Sequence, residues 1–210
     1  MANWDKPPFR GDHIGSLLRP EELLESRRKM RAGEISIEEL RDHENECIRE
    51  VVKLQEKIGL ISITDGEFRR ESFHVDFICQ IENVTSSWDF DQAVQLGKED
   101  KAGQDKKMPY IPYINGKMTR PEGGIEIENY KFTSSLTEQT VKVTIPSPTM
   151  THFRGGREAI NKEIYPEMQD FFDDLARLYR EELSDLGSAG CSYVQFDDTN
   201  LVDSYSYSKI

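Results

Sequence analysis

The sequence is short of basic residues, because 27 Lys and Arg face 39 Asp and Glu and leave a formal net charge of −12 at pH 7. Nucleic acids and anionic membranes bind clustered Lys and Arg, so neither is an expected partner. No apolar run approaches the roughly 20 residues that a membrane-spanning helix needs. The N-terminal residues Met1–Asp5 also lack the basic and apolar regions of a signal peptide. The composition therefore predicts a soluble cytoplasmic protein.

Cysteine is scarce, and two glycine motifs are missing. Cys47, Cys79 and Cys191 are odd in number and widely spaced, which disfavours a disulfide framework. The histidines and cysteines form no His-x-Cys and no Cys-x-x-Cys pair, whereas zinc needs three or four convergent ligands. We therefore expect no metal site in this chain. The absence of Gly-x-Gly-x-x-Gly and P-loop motifs disfavours nucleotide binding.

Three helices are predicted from capping signals and apolar periodicity. Pro20 suits the first turn of a helix, where a missing N–H costs nothing. Ser36 and Glu39 form a capping box, and the apolar residues after it predict a long helix that stops at Gly59. Similar spacing predicts a second long helix over residues 164–187.

Four short strands alternate with these helices. They are predicted over Arg10–Ser16, Leu60–Asp65, Thr140–Ile145 and Tyr193–Phe196. Apolar strands that alternate with helices usually pair in parallel, so the sequence predicts an α/β sheet.

Two stretches interrupt this pattern. Residues 82–108 are polar and are predicted as a loop. Residues 110–136 are predicted as an antiparallel excursion, because Asn115-Gly116 is a strong hairpin signal and Ile125–Glu128 alternates apolar and charged residues.

Polar side chains collect at the carboxyl ends of the predicted strands. They are His13, Ser16, Asp65, Glu67, Ser147, Asp197 and Asp198. Barrel enzymes build their sites at this end of the strands, and open doubly wound sheets place ligands similarly. A small-molecule site is therefore expected here on either architecture.

Three of these strand-end motifs resemble the catalytic barrel of cobalamin-independent methionine synthase, and most closely its shorter single-barrel relatives. The motifs are His13-Ile14-Gly15-Ser16 with Arg19-Pro20, Thr64-Asp65-Gly66-Glu67-Phe68, and Gln195-Phe196-Asp197. The resemblance implies a TIM (β/α)8 barrel of the methionine synthase/uroporphyrinogen decarboxylase type. Residues 1–210 would form its N-terminal half, a single domain of four βα units with the inserted hairpin excursion at about 110–136.

The resemblance also implies an activity in methionine biosynthesis. A methyl group would move from a donor of the 5-methyltetrahydrofolate type to the thiol of homocysteine, as in a 5-methyltetrahydropteroyltriglutamate–homocysteine methyltransferase. The implied substrate-binding residues are His13, Ile14, Gly15, Ser16, Asp65, Glu67, Asp197 and Asp198. In the family, the backbone at Ile14–Ser16 and carboxylates matching Glu67 and Asp197 hold the amino-acid end, which fits the charge-assisted hydrogen bonds of carboxylates with ammonium.

Zinc is the cofactor that the resemblance implies, because it binds the substrate sulfur as thiolate at neutral pH. The family's zinc ligands are a His-x-Cys pair, a Glu and a second Cys on later strands. None can be assigned to these 210 residues. Zinc and the catalytic residues are therefore expected only in a full-length barrel, and this half alone is expected to be inactive.

Alternatives remain open. The acceptor could be another thiol, as in a coenzyme M-type alkyl transferase, or the chain could be a catalytically silent fragment. A uroporphyrinogen decarboxylase is disfavoured, since only Arg19 follows His13 in place of an Arg-rich motif. Glu67 could instead pair with Arg69 or Arg70, while Asp197 and Asp198 could cap a helix and His13 could simply pack.

The oligomeric state follows from geometry. Four parallel strands cannot close a barrel, which needs about eight. Their open edges favour association. We expect this half to form a homo-oligomer, to aggregate, or to occur within a longer polypeptide.

Overall fold

A computed structural model of the protein describes residues 6, 7, 9, 11–86 and 111–199. The chain divides into two compact units. The first unit consists of Met1–Phe73, Gly123–Ile145 and Glu182–Phe196, and the second of His74–Glu122, Pro146–Glu181 and Asp197–Ile210. Among the described helices, none is both long and apolar enough to cross a membrane.

The first unit begins with two helices, α1 (Glu21–Arg31) and α2 (Ile37–Lys57). Pro20 occupies the N-cap of α1, one position before its predicted place. The predicted capping box of α2 is confirmed: Ser36 Oγ accepts from the Glu39 N–H, and the Glu39 carboxylate accepts from the Ser36 N–H. The helices pack on a core formed by Leu23, Leu40, Cys47, Ile48, Val51, Val52, Ile63 and Phe68.

A three-stranded sheet carries the rest of the predicted α/β pattern. Its strands are β1 (Ser62–Ile63), β4 (Thr140–Pro146) and β5 (Tyr193–Asp197), in the order β1-β4-β5. β1 and β4 are parallel, as predicted, with Ser62 opposite Thr140. Within the described part of the chain this sheet is open and does not close into a barrel, so the half-barrel stays a prediction.

The predicted first strand is wrong. Residues 11–16 carry no strand, and Arg10 lies outside the described residues. The physical reason is that the carbonyl groups of this segment accept hydrogen bonds from side chains of the sheet, so they need no neighbouring strand.

The hairpin predicted within residues 110–136 is also wrong in its details. An antiparallel pair exists in the second unit, but it joins β2 (Glu82–Ser86) to β3 (Pro112–Thr119). Asn115-Gly116 lies inside β3 rather than at a turn. The predicted loop over residues 82–108 therefore begins with a strand, and its part beyond Ser86 lies outside the described residues.

The alternating segment Ile125–Glu128 leads into a helix, α4 (Ile127–Ser134), and not into a strand. The buried Glu182 carboxylate explains this difference, because it accepts hydrogen bonds from the N–H groups of Ile125 and Glu126. An acidic side chain thus satisfies free N–H groups at the start of the helix.

The remaining helices are α3 (Val75–Ile78), α5 (Met168–Ser188) and two short 3₁₀ helices, Pro148–Thr151 and Gly156–Ala159. α5 begins later than predicted, at Met168, because Pro166 disfavours helical backbone at the residue before it.

Candidate functional site

The segment Asp12–Ser16 of the first unit is an irregular loop held by side chains. Three successive carbonyl groups accept one hydrogen bond each: His13 O from Lys142 Nζ, Ile14 O from Gln195 Nε2 at 2.7 Å, and Gly15 O from Thr64 Oγ1 at 2.6 Å. Lys142 and Gln195 lie on β4 and β5, and Thr64 follows β1. Side chains of β4, of β5 and of the residue that follows β1 therefore fix this loop.

His13 makes contacts with the backbone on both sides of its ring. Nδ1 accepts from the Gly15 N–H at 3.2 Å, and Nε2 lies 3.2 Å from Ser62 O. An acceptor at Nδ1 and a donor at Nε2 correspond to the tautomer protonated at Nε2. These contacts favour the interpretation of His13 as a residue that shapes the loop, and its contact with substrate stays a prediction.

Gly15 is required where the loop approaches β4. Its φ of +115° is rarely adopted by residues with a side chain. A Cβ atom at this position would also overlap the methyl group of Thr144. The backbone therefore lies against the strand more closely than any other residue would allow.

The second motif lies beside this loop, because the Leu17 N–H donates to Gly66 O at 3.1 Å. Glu67 has a φ of 58°, which is unusual for a residue other than glycine. Asp65 stabilises this turn, since its Oδ1 accepts from the Glu67 N–H at 2.8 Å. Backbone strain of this kind often occurs at functional sites. It motivates the interpretation of Glu67 as a binding residue.

The Glu67 side chain is 3% exposed, and its Oε1 accepts from Thr144 Oγ1 at 2.8 Å. The same threonine packs against Gly15, so one residue of β4 contacts both predicted substrate-binding segments. Arg70 Nη1 lies 3.9 Å from the Glu67 carboxylate. The structure thus brings His13–Ser16 and Glu67 together, although their binding of a ligand stays a prediction.

Arg70 has a closer partner than Glu67. Its Nη2 lies 3.0 Å from Glu126 Oε1 and donates to Thr144 O at 2.6 Å. Burial raises the pKa of the Glu126 carboxyl, and the charge of Arg70 acts in the opposite direction. Arg69 lies near Glu44 instead, at 3.5 Å. Arg70 therefore lies closer to Glu126 than to Glu67.

Asp12, Tyr193 and Lys142 form a second polar group that supports the loop. Asp12 Oδ2 accepts from Tyr193 Oη at 2.6 Å and lies 3.2 Å from Lys142 Nζ. Burial would raise the pKa of Asp12, but hydrogen bonds from Tyr193, the His13 N–H and Lys142 lower it overall. Burial, together with the Asp12 carboxylate, raises the pKa of Tyr193 to about 12.

The sequence patterns did not predict which residues hold the loop. Lys142 and Thr144 lie two positions apart on β4 and therefore share one face of the strand. The alternation Thr-Val-Lys-Val-Thr-Ile carries this signal, because it places polar residues on a face that an apolar buried strand would fill with aliphatic ones.

Asp197 and Asp198 belong to the second unit. Asp197 ends β5, and its carbonyl oxygen accepts from the Ser147 N–H at 3.0 Å. Asp198 Oδ1 accepts from Thr149 Oγ1 at 3.4 Å. Their role as helix caps concerns residues that follow Thr199 and lie outside the described part. Their role in binding stays a prediction.

The described residues contain no group of three or more His, Cys, Asp and Glu that could hold a metal ion. The donor set of this part of the chain therefore does not fit the zinc that the resemblance implies. Cys47 is buried in the core of the first unit, as its place on the apolar face of α2 predicts, and Cys79 is exposed.

Comparison with known proteins gives related sequences over most of the chain. The "Uncharacterized protein YxjH" of Bacillus subtilis is 37% identical over 199 residues, which are 93% of this chain and 49% of that protein. The 5-methyltetrahydropteroyltriglutamate–homocysteine methyltransferase of a Thermotoga species is 32% identical over 91% of this chain and 24% of its own length. The chain thus spans about half the length of the short relative and about a quarter of the long one.

Solved structures give the same result. A Listeria monocytogenes protein, provisionally assigned as a vitamin-B12 independent methionine synthase, matches with a TM-score of 0.74 and 33% identity. The match covers 96% of this chain and 54% of that one. The family described as "Cobalamin-independent synthase, Catalytic domain" matches residues 9–209. This chain therefore belongs to the cobalamin-independent methionine synthase family.

Proposed function

We propose that this chain supplies the amino-acid-binding part of a methyltransferase site whose acceptor is homocysteine. The loop Ile14–Ser16 binds the substrate carboxylate, and Glu67 binds the ammonium group. One observation carries the proposal: Thr144 contacts both Gly15 and Glu67, so the loop and a buried carboxylate lie next to each other. Such a pair of opposite binding groups suits the zwitterionic end of an amino acid.

The loop suits a carboxylate because two of its N–H groups have no acceptor among the residues that the structure describes. Within the described residues, neither the Ile14 N–H nor the Ser16 N–H donates to the protein, whereas the Gly15 N–H is taken by His13. Backbone N–H groups that point out of a loop bind anions well. Ser16 adds a hydroxyl group, and α1 begins shortly after it, at Glu21.

Glu67 distinguishes homocysteine from thiols that lack an amino group. A carboxylate in a largely buried position stabilises an ammonium through charge-assisted hydrogen bonds. It repels a sulfonate for the same electrostatic reason. This favours an amino-acid thiol over a coenzyme M-like acceptor.

In the proposed reaction, the homocysteine sulfur forms a bond to the methyl carbon while the bond from that carbon to the donor nitrogen breaks. The thiol proton ends on the donor nitrogen, and the product is methionine. The name of the Thermotoga relative makes a methyltetrahydrofolate the proposed donor. The described residues do not offer a set of ligands that fits zinc. The proposed role of this chain is therefore to bind and orient the methyl acceptor.

Titration calorimetry with L-homocysteine tests the proposal, with Glu67→Gln as the variant and Glu38→Gln, at an exposed position of α2, as its matched control. We expect Glu67→Gln to raise Kd by at least about tenfold and Glu38→Gln to leave it unchanged. N-acetyl-homocysteine and 2-mercaptoethanesulfonate, which lack the ammonium group, should bind far more weakly. Equal Kd values for the two variants, or tight binding of the sulfonate, would contradict the proposal.

A further inference from the structure

We propose that Lys142 is a positioning residue for the substrate-binding loop: it sets the direction of the Ile14 N–H group that receives the substrate carboxylate. This inference rests on the proposed function. It is carried by the contacts of the lysine, whose side chain is completely buried. The ammonium group has three donors, and three acceptors surround it: His13 O, Asp12 Oδ2 at 3.2 Å and Gln195 Oε1 at 3.0 Å.

Burying a lysine costs free energy, so the contacts around Lys142 must compensate for it. Removing an ammonium group from water costs several kcal/mol unless hydrogen bonds and opposite charge compensate for it. Lys142 lies between Val141 and Val143 on a strand that could be apolar throughout. The charge of Asp12 and two neutral oxygens compensate here. The arrangement directs one donor at the carbonyl group of a loop, which a purely structural ion pair does not require.

The planarity of the peptide bond links this contact to the binding group. In a trans peptide the C=O of one residue and the N–H of the next lie in one plane and point in opposite directions. When Lys142 holds His13 O, it therefore fixes the direction of the Ile14 N–H. By the same geometry, Thr64 holds Gly15 O and fixes the Ser16 N–H.

The same rule applies to the peptide between Ile14 and Gly15, but its N–H group has an acceptor in the protein. Gln195 holds Ile14 O at 2.7 Å, and the Gly15 N–H of that peptide donates to His13 Nδ1. The middle N–H group of the loop thus donates to His13, while the outer two find no acceptor within the described part of the chain. Gln195 also accepts from Lys142, so the two side chains act together on neighbouring carbonyl groups.

The test compares two ligands in the variant Lys142→Met, which keeps the length of the side chain and removes its donors. L-homocysteine has the carboxylate, and 3-mercaptopropylamine is the same molecule without it. The preference is the ratio of Kd for the amine to Kd for L-homocysteine. We expect this ratio to fall by at least about tenfold in the variant, while Kd for the amine changes less than about twofold. An equal weakening of both ligands in a variant that still folds cooperatively would overturn the proposal.

A second variant and two control variants keep the test decisive. Gln195→Glu retains an acceptor for Lys142 but removes the donor to Ile14 O, so it should reduce the same preference even if Lys142→Met does not fold. Lys53→Met, at an exposed lysine of α2, and Gln139→Glu, at an exposed glutamine, are the matched controls and should leave the preference unchanged. An unchanged preference in Gln195→Glu and Lys142→Met would show that neither residue positions the loop.

Amide ¹⁵N relaxation of the unliganded chain separates this inference from the proposed function. Lys142→Met should lower the order parameters of Ile14 and Gly15 while those of α2 stay unchanged. If the original protein showed no preference for L-homocysteine over the amine, the proposed function would be wrong. Unchanged order parameters at Ile14 in the variant would instead overturn the role of Lys142.

Discussion

Thr144 Oγ1 donates a hydrogen bond of 2.8 Å to Glu67 Oε1, while the methyl group of the same threonine fills the space beside Gly15. The hydroxyl group and the methyl group of Thr144 therefore have different roles. The hydroxyl group satisfies a carboxylate that is 3% exposed, and the methyl group sets how closely the loop approaches β4. Separate substitutions can therefore test the two contacts.

Thr144→Val keeps the branched shape and removes the hydroxyl donor. The Glu67 carboxylate then loses a hydrogen bond in a buried position, and we expect the free energy of unfolding to fall by about 1 to 2 kcal/mol. Urea denaturation measures this loss. Thr140→Val, at the start of the same strand, is the control and should change stability by less than about 0.5 kcal/mol. Equal effects of the two substitutions would show that the hydroxyl of Thr144 does not stabilise Glu67.

Gly15→Ala adds a methyl group where φ is +115° and where the Thr144 side chain leaves no space. We expect a loss of about 2 to 3 kcal/mol of stability, since backbone strain and overlap add together. Gly33→Ala is the matched control, because its φ is +73° but no atom lies within 4 Å of the added Cβ. Its cost should be about 1 kcal/mol.

The double substitution Gly15→Ala with Thr144→Ser separates the two causes. The serine keeps the hydroxyl group and removes the overlapping methyl group, so part of the cost should be recovered. If Gly15→Ala cost no more than Gly33→Ala, the close approach of the loop to β4 would be refuted.

His74 should make the stability of the protein depend on pH. It is 7% exposed, and burial, followed by the charge of Arg154, lowers its pKa from 6.5 to about 4. The unfolded chain therefore takes up a proton at higher pH than the folded one. Stability due to neutral His74 is complete above about pH 6.5 and is lost as the pH falls towards 4.

Urea unfolding of the original protein and of His74→Gln at pH 7.5 and pH 5 measures this effect. The original protein should lose about 2 kcal/mol more than the variant over this range. His43→Gln, at an exposed histidine, is the control and should follow the original protein. Parallel pH profiles for the original protein and His74→Gln would contradict the prediction.

The sequence predicts those parts of the fold that depend on local patterns. The capping box at Ser36 and the apolar periodicity after it suffice for α2, and the run rich in β-branched residues that ends at Pro146 suffices for β4. Both signals lie within the element that they define. The parallel pairing of β1 with β4 then follows from the alternation of strands and helices.

The failed predictions of a strand at residues 11–16 and of a turn at Asn115-Gly116 share one physical cause, which is a partner that lies far away in the chain. Residues 11–16 satisfy their carbonyl groups with Lys142 and Gln195, more than a hundred positions later, and so form no strand. The Asn115-Gly116 signal is overridden by pairing of β3 with β2. Local propensity cannot reveal such contacts.

The candidate site was only partly accessible to sequence reasoning for the same reason. The motifs containing Gly15 and Glu67 were found because they resemble a known family. Thr144 and Lys142, which hold these motifs in place, lie in a strand without a recognised motif. Their contacts depend on the three-dimensional position of β4.

The central claim is that Ile14–Ser16 and Glu67 bind the two charged groups of one amino acid. Amide ¹H–¹⁵N chemical-shift mapping during titration with L-homocysteine tests it most directly, with 3-mercaptopropylamine as the comparison ligand. We predict saturable shifts at Ile14, Ser16 and Glu67 with L-homocysteine, and at Glu67 but not at the loop with the amine. No shift at Ile14 and Ser16 at saturating L-homocysteine, or the same loop shifts with the amine, would contradict the claim.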